Sequence, residues 1–170
     1  MKLVLLILGS IVGLLVISAL IAVLVGSRLP TDHTVSRSMK LTQNPAEVYA
    51  IIRNVAEAPR WRPDVKQVDI LSADTFREHG SNGKVTYQIV EDVPNQKVVT
   101  RIMDVDLGYS GSWEYAVEPD GGGTVMTITE RGIVSSPLFR FFSRYVFGHT
   151  ATIDAYLKNL QARTSGAAGN

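Results

Sequence analysis

Residues 81–134 read SNGKVTYQIVEDVPNQKVVTRIMDVDLGYSGSWEYAVEPDGGGTVMTITERGIV. Apolar residues recur at every second position, and turn chemistry interrupts them at short intervals. Asn82-Gly83 is a hairpin signal ahead of Val85, Tyr87 and Ile89. Val93-Pro94-Asn95 makes a second turn, followed by a strand from Val98 to Val105. Ser112 to Val117 sets Trp113, Tyr115 and Val117 on one face, and Asp120-Gly121-Gly122-Gly123 turns the chain into a last strand, Thr124 to Val134. Strands joined by such short turns pair as an antiparallel meander.

Upstream, Val65 to Leu71 alternates as a further strand, and Thr34 to Leu41 is the first. Between them lies a helix start. Asn44 is suited to cap, Pro45 to the first helical position, and Glu47 to closing a capping box. Val48, Ile51, Ile52 and Val55 then recur at helical spacing until Pro59 and Pro63 end the helix and frame Trp61. Downstream, Pro137 opens a closing helix to about Ala162. Its stripe of Leu138, Phe142, Tyr145, Val146, His149, Ile153, Tyr156, Leu157 and Leu160 must bury against the sheet. Helices segregated from a meandering sheet make the class α+β, in one domain spanning residues 34–163.

The N-terminus is of another kind. Leu3 to Val25 carries no charge over 23 residues. At helical rise that run is about 34 Å long, against a hydrocarbon core of about 30 Å. A cleaved signal peptide would have a shorter apolar region and a small-x-small cleavage site, which Val23-Leu24-Val25-Gly26-Ser27-Arg28 lacks. Residues 1–27 therefore read as a single-pass transmembrane anchor and 28–33 as a linker. Lys2 on one flank and Arg28, Arg37 and Lys40 on the other nearly balance, so the positive-inside rule assigns the domain to neither side. Residues 164–170 are small and polar and are expected to be a disordered tail.

Composition narrows the chemistry. Seventeen basic and 16 acidic residues leave a nearly neutral chain, without the basic surplus of a nucleic-acid partner. The absence of cysteine excludes disulfides, thiolate metal sites and thiol nucleophiles. His33, His79 and His149 are too scattered for a metal motif, and Gly121 to Gly123 lacks the residues of a phosphate loop, so no metal or cofactor is expected. Gly108-Tyr109-Ser110-Gly111-Ser112 falls short of a nucleophile elbow because Ser112 stands where the second glycine belongs. Nothing in the pattern sets an oligomeric state.

Several local features resemble the superfamily of START domains, polyketide cyclases and birch-pollen allergens (SRPBCC). Asn44-Pro45-Ala46-Glu47-Val48-Tyr49 is similar to its first-helix opening, and Ala58-Pro59-Arg60-Trp61-Arg62-Pro63-Asp64-Val65 to its tryptophan-proline stretch. The Gly-rich hairpin into Val125-Met126-Thr127-Ile128 and the helix ending Tyr156-Leu157-Lys158-Asn159-Leu160 also fit. The resemblance runs from about Thr34 to Arg163. It implies a helix-grip fold, with a curved antiparallel sheet around the long C-terminal helix and an apolar cavity between them. It also implies a lipid or other hydrophobic small molecule as ligand, with catalysis in a minority of members. The anchor lies outside the common pattern.

Read onto this chain, that cavity would be lined by Tyr87, Trp113, Tyr115, Met126, Ile128, Phe142, Tyr145, His149 and Ile153. Each is equally a residue of a filled core. His149, mid-stripe, is either a general base or a core histidine satisfied by its neighbours. Glu130 shares a strand face with Met126 and Ile128; it is either a carboxylate of raised pKa or, the preferred reading, half of an ion pair with Arg101 or Arg131. Trp61 is expected to lie over the first helix. Residues 138–147, apolar nearly all round with Arg140 and Arg144 one turn apart, meet either lipid or covering loops. The leading expectation is a membrane-tethered, non-catalytic binding domain for a hydrophobic small molecule or lipid. The alternatives are a cyclase or aromatase using His149, and an accessory partner of another membrane protein.

Overall fold

The computed structural model describes residues 2–81, 83–148 and 150–167. The turns place β4 (Gly83–Val93), β5 (Lys97–Ile102), β6 (Tyr109–Asp120) and β7 (Gly123–Val134) as successive antiparallel neighbours. Asn95 turns the chain between β4 and β5 at φ 60°, a left-handed conformation that asparagine tolerates. β1 (Asp32–Leu41) returns beside β7, in register from Asp32 opposite Ile133 to Leu41 opposite Thr124. With β2 (Val65–Ile70) and β3 (Thr75–Gly80), the sheet has seven strands in the order β1-β7-β6-β5-β4-β3-β2. This is the curved antiparallel sheet of a helix-grip α+β fold.

The sequence reading has no counterpart to β3. Its residues Thr75-Phe76-Arg77-Glu78-His79-Gly80 offer a single large apolar side chain, and Glu78 occupies the inward position that such patterns reserve for apolar residues. β5 ends at Ile102 rather than Val105, and β6 begins at Tyr109 rather than Ser112.

α2 (Pro45–Arg53) forms as its capping box dictates. Glu47 N donates to Asn44 Oδ1 at 3.0 Å, and Asn44 N donates to Glu47 Oε2 at 3.2 Å. Its apolar face buries Val48 and Ile52. A 3₁₀ turn, Val55–Arg60, then leads to Trp61, which packs edge-on against Tyr156 at 5.1 Å as well as beside α2.

The closing helix is not continuous from Pro137. α3 (Pro137–Phe142) runs into a π-helical turn, Ser143–Phe147, and Gly148 breaks the ladder at φ 75°. α4 (Ala151–Ala167) is the helix that the sheet grips. It continues to Ala167, into the segment expected to be a disordered tail; residues 168–170 lie outside the described residues. Thr164 is buried, its carbonyl accepts from Gln43 Nε2 at 3.0 Å, and its hydroxyl donates to Gln161 O at 2.9 Å.

The core fills one half of the grip. Met126, Ile128, Val48, Ile153 and Leu160 are completely buried where β7 and β6 meet α2 and α4. The strand ends beyond Ile128 are packed differently.

α1 (Lys2–Arg28) is long and apolar enough to cross a membrane. It exposes apolar side chains on nearly every side, Leu14 and Leu15 by about two thirds. Ala22 and Gly26, one turn apart, are buried where α3 lies across the end of α1. A Cβ at Gly26 would come within 1.9 Å of the Pro137 carbonyl oxygen, so the crossing requires glycine. Three residues separate α1 from β1, and Thr31 O accepts from Val134 N at 2.8 Å.

Candidate functional site

Alternation along β7 sets its inward row as Met126, Ile128, Glu130, Gly132 and Val134. The first two are completely buried; at Glu130 the row becomes polar and then loses its side chain. Opposite it, β6 presents Tyr115, Trp113 and Gly111, paired in register with Ile128, Glu130 and Gly132. The Gly111–Gly132 pair leaves a hollow, and the His33 imidazole of β1 occupies part of it. A Cβ at Gly132 would lie 2.3 Å from that ring.

From this point the grip opens into a cavity of about 580 Å³. That lies within the roughly 300–1,000 Å³ of small-molecule sites. Trp113, Tyr115, Tyr87 and Tyr156 form its aromatic walls, and Phe139, Ser143 and Gly148 belong to its helical rim. The strand residues that line it cluster at one end of the sheet, at the starts of β1, β2, β4 and β6 and the ends of β3, β5 and β7, with Phe76 further along β3. A second, smaller cavity beside Trp61 and Ile52 has about 30 Å³, room for about one water molecule but no organic ligand.

Two charged pairs stand in the wall. On β3, Glu78 accepts from Arg62 Nη1 at 2.7 Å and from Nη2 at 3.1 Å, and Arg62 Nη2 also donates to Asp64 at 2.8 Å. The Arg62 guanidinium lies 5.3 Å from the centre of the Tyr156 ring. Burial pushes the Glu78 carboxyl above the usual carboxylate range, against the pull of the Arg62 charge. For Arg62 burial works against the charge, yet the Glu78 carboxylate holds the guanidinium above its ordinary value. The twofold contact with a group that stays protonated keeps the pair ionic at neutral pH.

The second pair is His33 Nε2 with Glu130 Oε1, at 3.3 Å. Burial raises the Glu130 carboxyl, while hydrogen bonds from His33 and Trp113 and the His33 charge oppose the rise. Burial likewise raises the phenols of Tyr87, Tyr115 and Tyr156, so all three remain neutral. The cavity thus combines aromatic walls with fixed polar points, a combination that holds an apolar body and orients a polar group on it.

The structure gathers part of the expected set. Tyr87, Trp113 and Tyr115 line the cavity. Met126, Ile128 and Ile153 do not; they lie in the packed core, one to four residues too far along their elements. Phe142 and Tyr145 lie on the exposed face of the 137–147 segment, because the break at Gly148 turns that segment away from α4. His149 lies outside the described residues. Glu130 pairs with His33 instead of an arginine, since Arg131 and Arg101 alternate to the outer face, where they bond Glu114 and Gln88. Sequence reasoning missed Arg62, Glu78, His33 and Tyr156 as wall residues. Glu78 gave no local signal, because Phe76 is the single large apolar side chain of its strand. Among the described residues no cluster of histidine and acidic side chains could hold a metal.

The sequence matches a family described as polyketide cyclase / dehydrase and lipid transport over residues 32–164. No curated protein matches it. Among solved structures, a START superfamily protein from Mycobacterium smegmatis superposes with a TM-score of 0.67 at 16% identity, covering 79% of this chain and 99% of that one. The di-domain ARO/CYC StfQ from the steffimycin biosynthetic pathway gives 0.66 at 13% identity, covering 82% of this chain and 53% of that one. Truncated norcoclaurine synthase from Thalictrum flavum gives 0.63 at 10% identity, covering 79% and 94%. At these identities the likeness is one of fold.

Proposed function

Because the chain belongs to the polyketide cyclase/dehydrase and lipid transport family, we propose that it is a membrane-tethered domain that binds a hydrophobic small molecule or lipid between its sheet and α4. The observation that carries this reading is the cavity of about 580 Å³ with aromatic walls, in a domain whose other half is solidly packed. So large a hollow costs the fold dispersion contacts that a ligand would restore. α1 supports the tether. A helix this apolar, exposed on nearly every side, is stable in water only with a cover, and lipid is the cover its length fits.

The test uses the full chain. Delipidated protein is incubated with membrane lipid extract, freed of excess lipid and weighed by native mass spectrometry. A retained species of lipid or other hydrophobe is expected, and Ile102→Trp, which fills the wall opposite Tyr87, should abolish it. Finding no retained species would exclude the binding reading. Co-flotation with vesicles, lost when residues 1–28 are removed, tests the tether separately.

A second reading has its own support. Glu130 and His33 place a carboxyl and an imidazole side by side on the cavity wall, an arrangement suited to moving a proton on a bound carbonyl compound. Recovery of the bound molecule unchanged after prolonged incubation with wild-type protein would argue against catalysis.

A further inference from the structure

We propose that the contact between α1 and α3 fixes the domain on the bilayer with the cavity mouth against the lipid, so that the ligand passes between membrane and cavity across residues 137–148. This rests on the tether reading above, and its outcome is separable from it.

Three observations converge. First, the hollow end of the sheet is the end from which α1 departs, and the solid end points away. Second, the departure is clamped. Arg140 Nε donates to Gly26 O at 2.9 Å and Nη1 to Val134 O at 3.3 Å, so one side chain joins the end of α1 to the end of β7. Pro137 rests on Gly26 where no other residue fits, and Thr31 is bonded to Val134. A helix so held cannot swivel freely against the sheet.

Third, the surface around the mouth suits lipid. With α1 upright in a bilayer, α3 crosses it at Ala22–Gly26, just within the level of Arg28. There Phe139, Tyr145 and Val146 are all more than half exposed. Val105, in the β5–β6 connection at the same end, is 90% exposed. Arg28 and Arg144 are exposed beside them, placed as cations that meet headgroup phosphates above an apolar layer. Phe139 belongs both to this surface and to the cavity rim, which makes the two continuous.

The absence of cysteine gives a direct test. Val105→Cys, Tyr145→Cys and, at the opposite end of the sheet, Gln96→Cys are labelled singly with a nitrobenzoxadiazole fluorophore. The full chain is then placed in phosphatidylcholine–phosphatidylglycerol vesicles carrying a headgroup nitroxide. Labels at 105 and 145 should be quenched several-fold more than the label at 96 and be shielded from aqueous iodide. Arg140→Gln, and separately Gly26→Leu, should bring quenching at 145 toward that at 96 while the protein still floats with vesicles. Equal quenching at all three sites in floating protein would overturn the docking while leaving the tether intact. Unchanged quenching in both clamp variants would overturn the clamp. Protein that does not float at all would overturn both the docking and the tether.

Discussion

Arg62 grips Glu78 with two hydrogen bonds, Nη1 to Oε1 at 2.7 Å and Nη2 to Oε2 at 3.1 Å, on a sheet face that also carries the aromatic walls of the cavity. Both side chains are largely buried, so each charge depends on the other.

Arg62→Met leaves the Glu78 charge buried with no counterion. The expected loss is about 3 kcal/mol in urea unfolding at pH 7. Adding Glu78→Leu removes the stranded carboxylate and should recover most of that loss. A double variant no more stable than the single one would mean that the pair matters for shape instead of charge.

Glu130 predicts a pH dependence of defined sign. Burial raises its carboxyl in the folded state, so the folded chain keeps that proton to higher pH than the unfolded chain does. The resulting stability is complete below the unfolded carboxylate value of about 4.3 and is lost as pH climbs through the raised folded value. Glu130→Gln should therefore gain on wild type as pH rises from about 4 and level off once the folded carboxyl has ionised. Urea midpoints across that range, with the two proteins in parallel, check the sign.

The two halves of the grip should answer truncation differently. Ile128→Ala opens a void in a fully packed region and should cost about 2–5 kcal/mol. Ile102→Ala merely enlarges an existing cavity and should cost under about 1.5 kcal/mol. Equal losses would show that the cavity is not open in solution.

Asn44→Ala removes the side-chain half of the α2 capping box. The expected cost is about 1 kcal/mol, read from thermal or urea unfolding. Ligand retention should be unaffected, because α2 lies against the solid half of the grip.

Where the chain follows periodicity and turn chemistry, the fold could be read from it. The capping box of α2, the alternation of Trp113 with Tyr115 and the turn at Asp120 to Gly123 each commit the backbone locally. β3 could not be read in that way, because a strand that buries Glu78 against an arginine 16 residues away breaks its own pattern for a long-range reason. The site divides similarly. Residues on one face can be inferred from alternation, and Glu130 is indeed on the face of Met126 and Ile128. Where along that face packing ends and space begins depends on Gly111, Gly132 and His33 meeting across three strands, and no local spacing carries that information. The break at Gly148 is of the same kind: the apolar stripe runs straight through it, while the backbone does not.

Under the proposed tether, the three residues between α1 and β1 have a kinetic consequence. Fully extended they reach only about 10 Å, so a domain held by a spanning α1 samples a thin layer of solution and never the bulk. Its encounters with ligand would then be counted per area of membrane. Occupancy would follow how strongly a compound partitions into the bilayer more than how much of it is dissolved in water. A sparingly soluble molecule, nearly absent from the aqueous phase, could still keep such a cavity full.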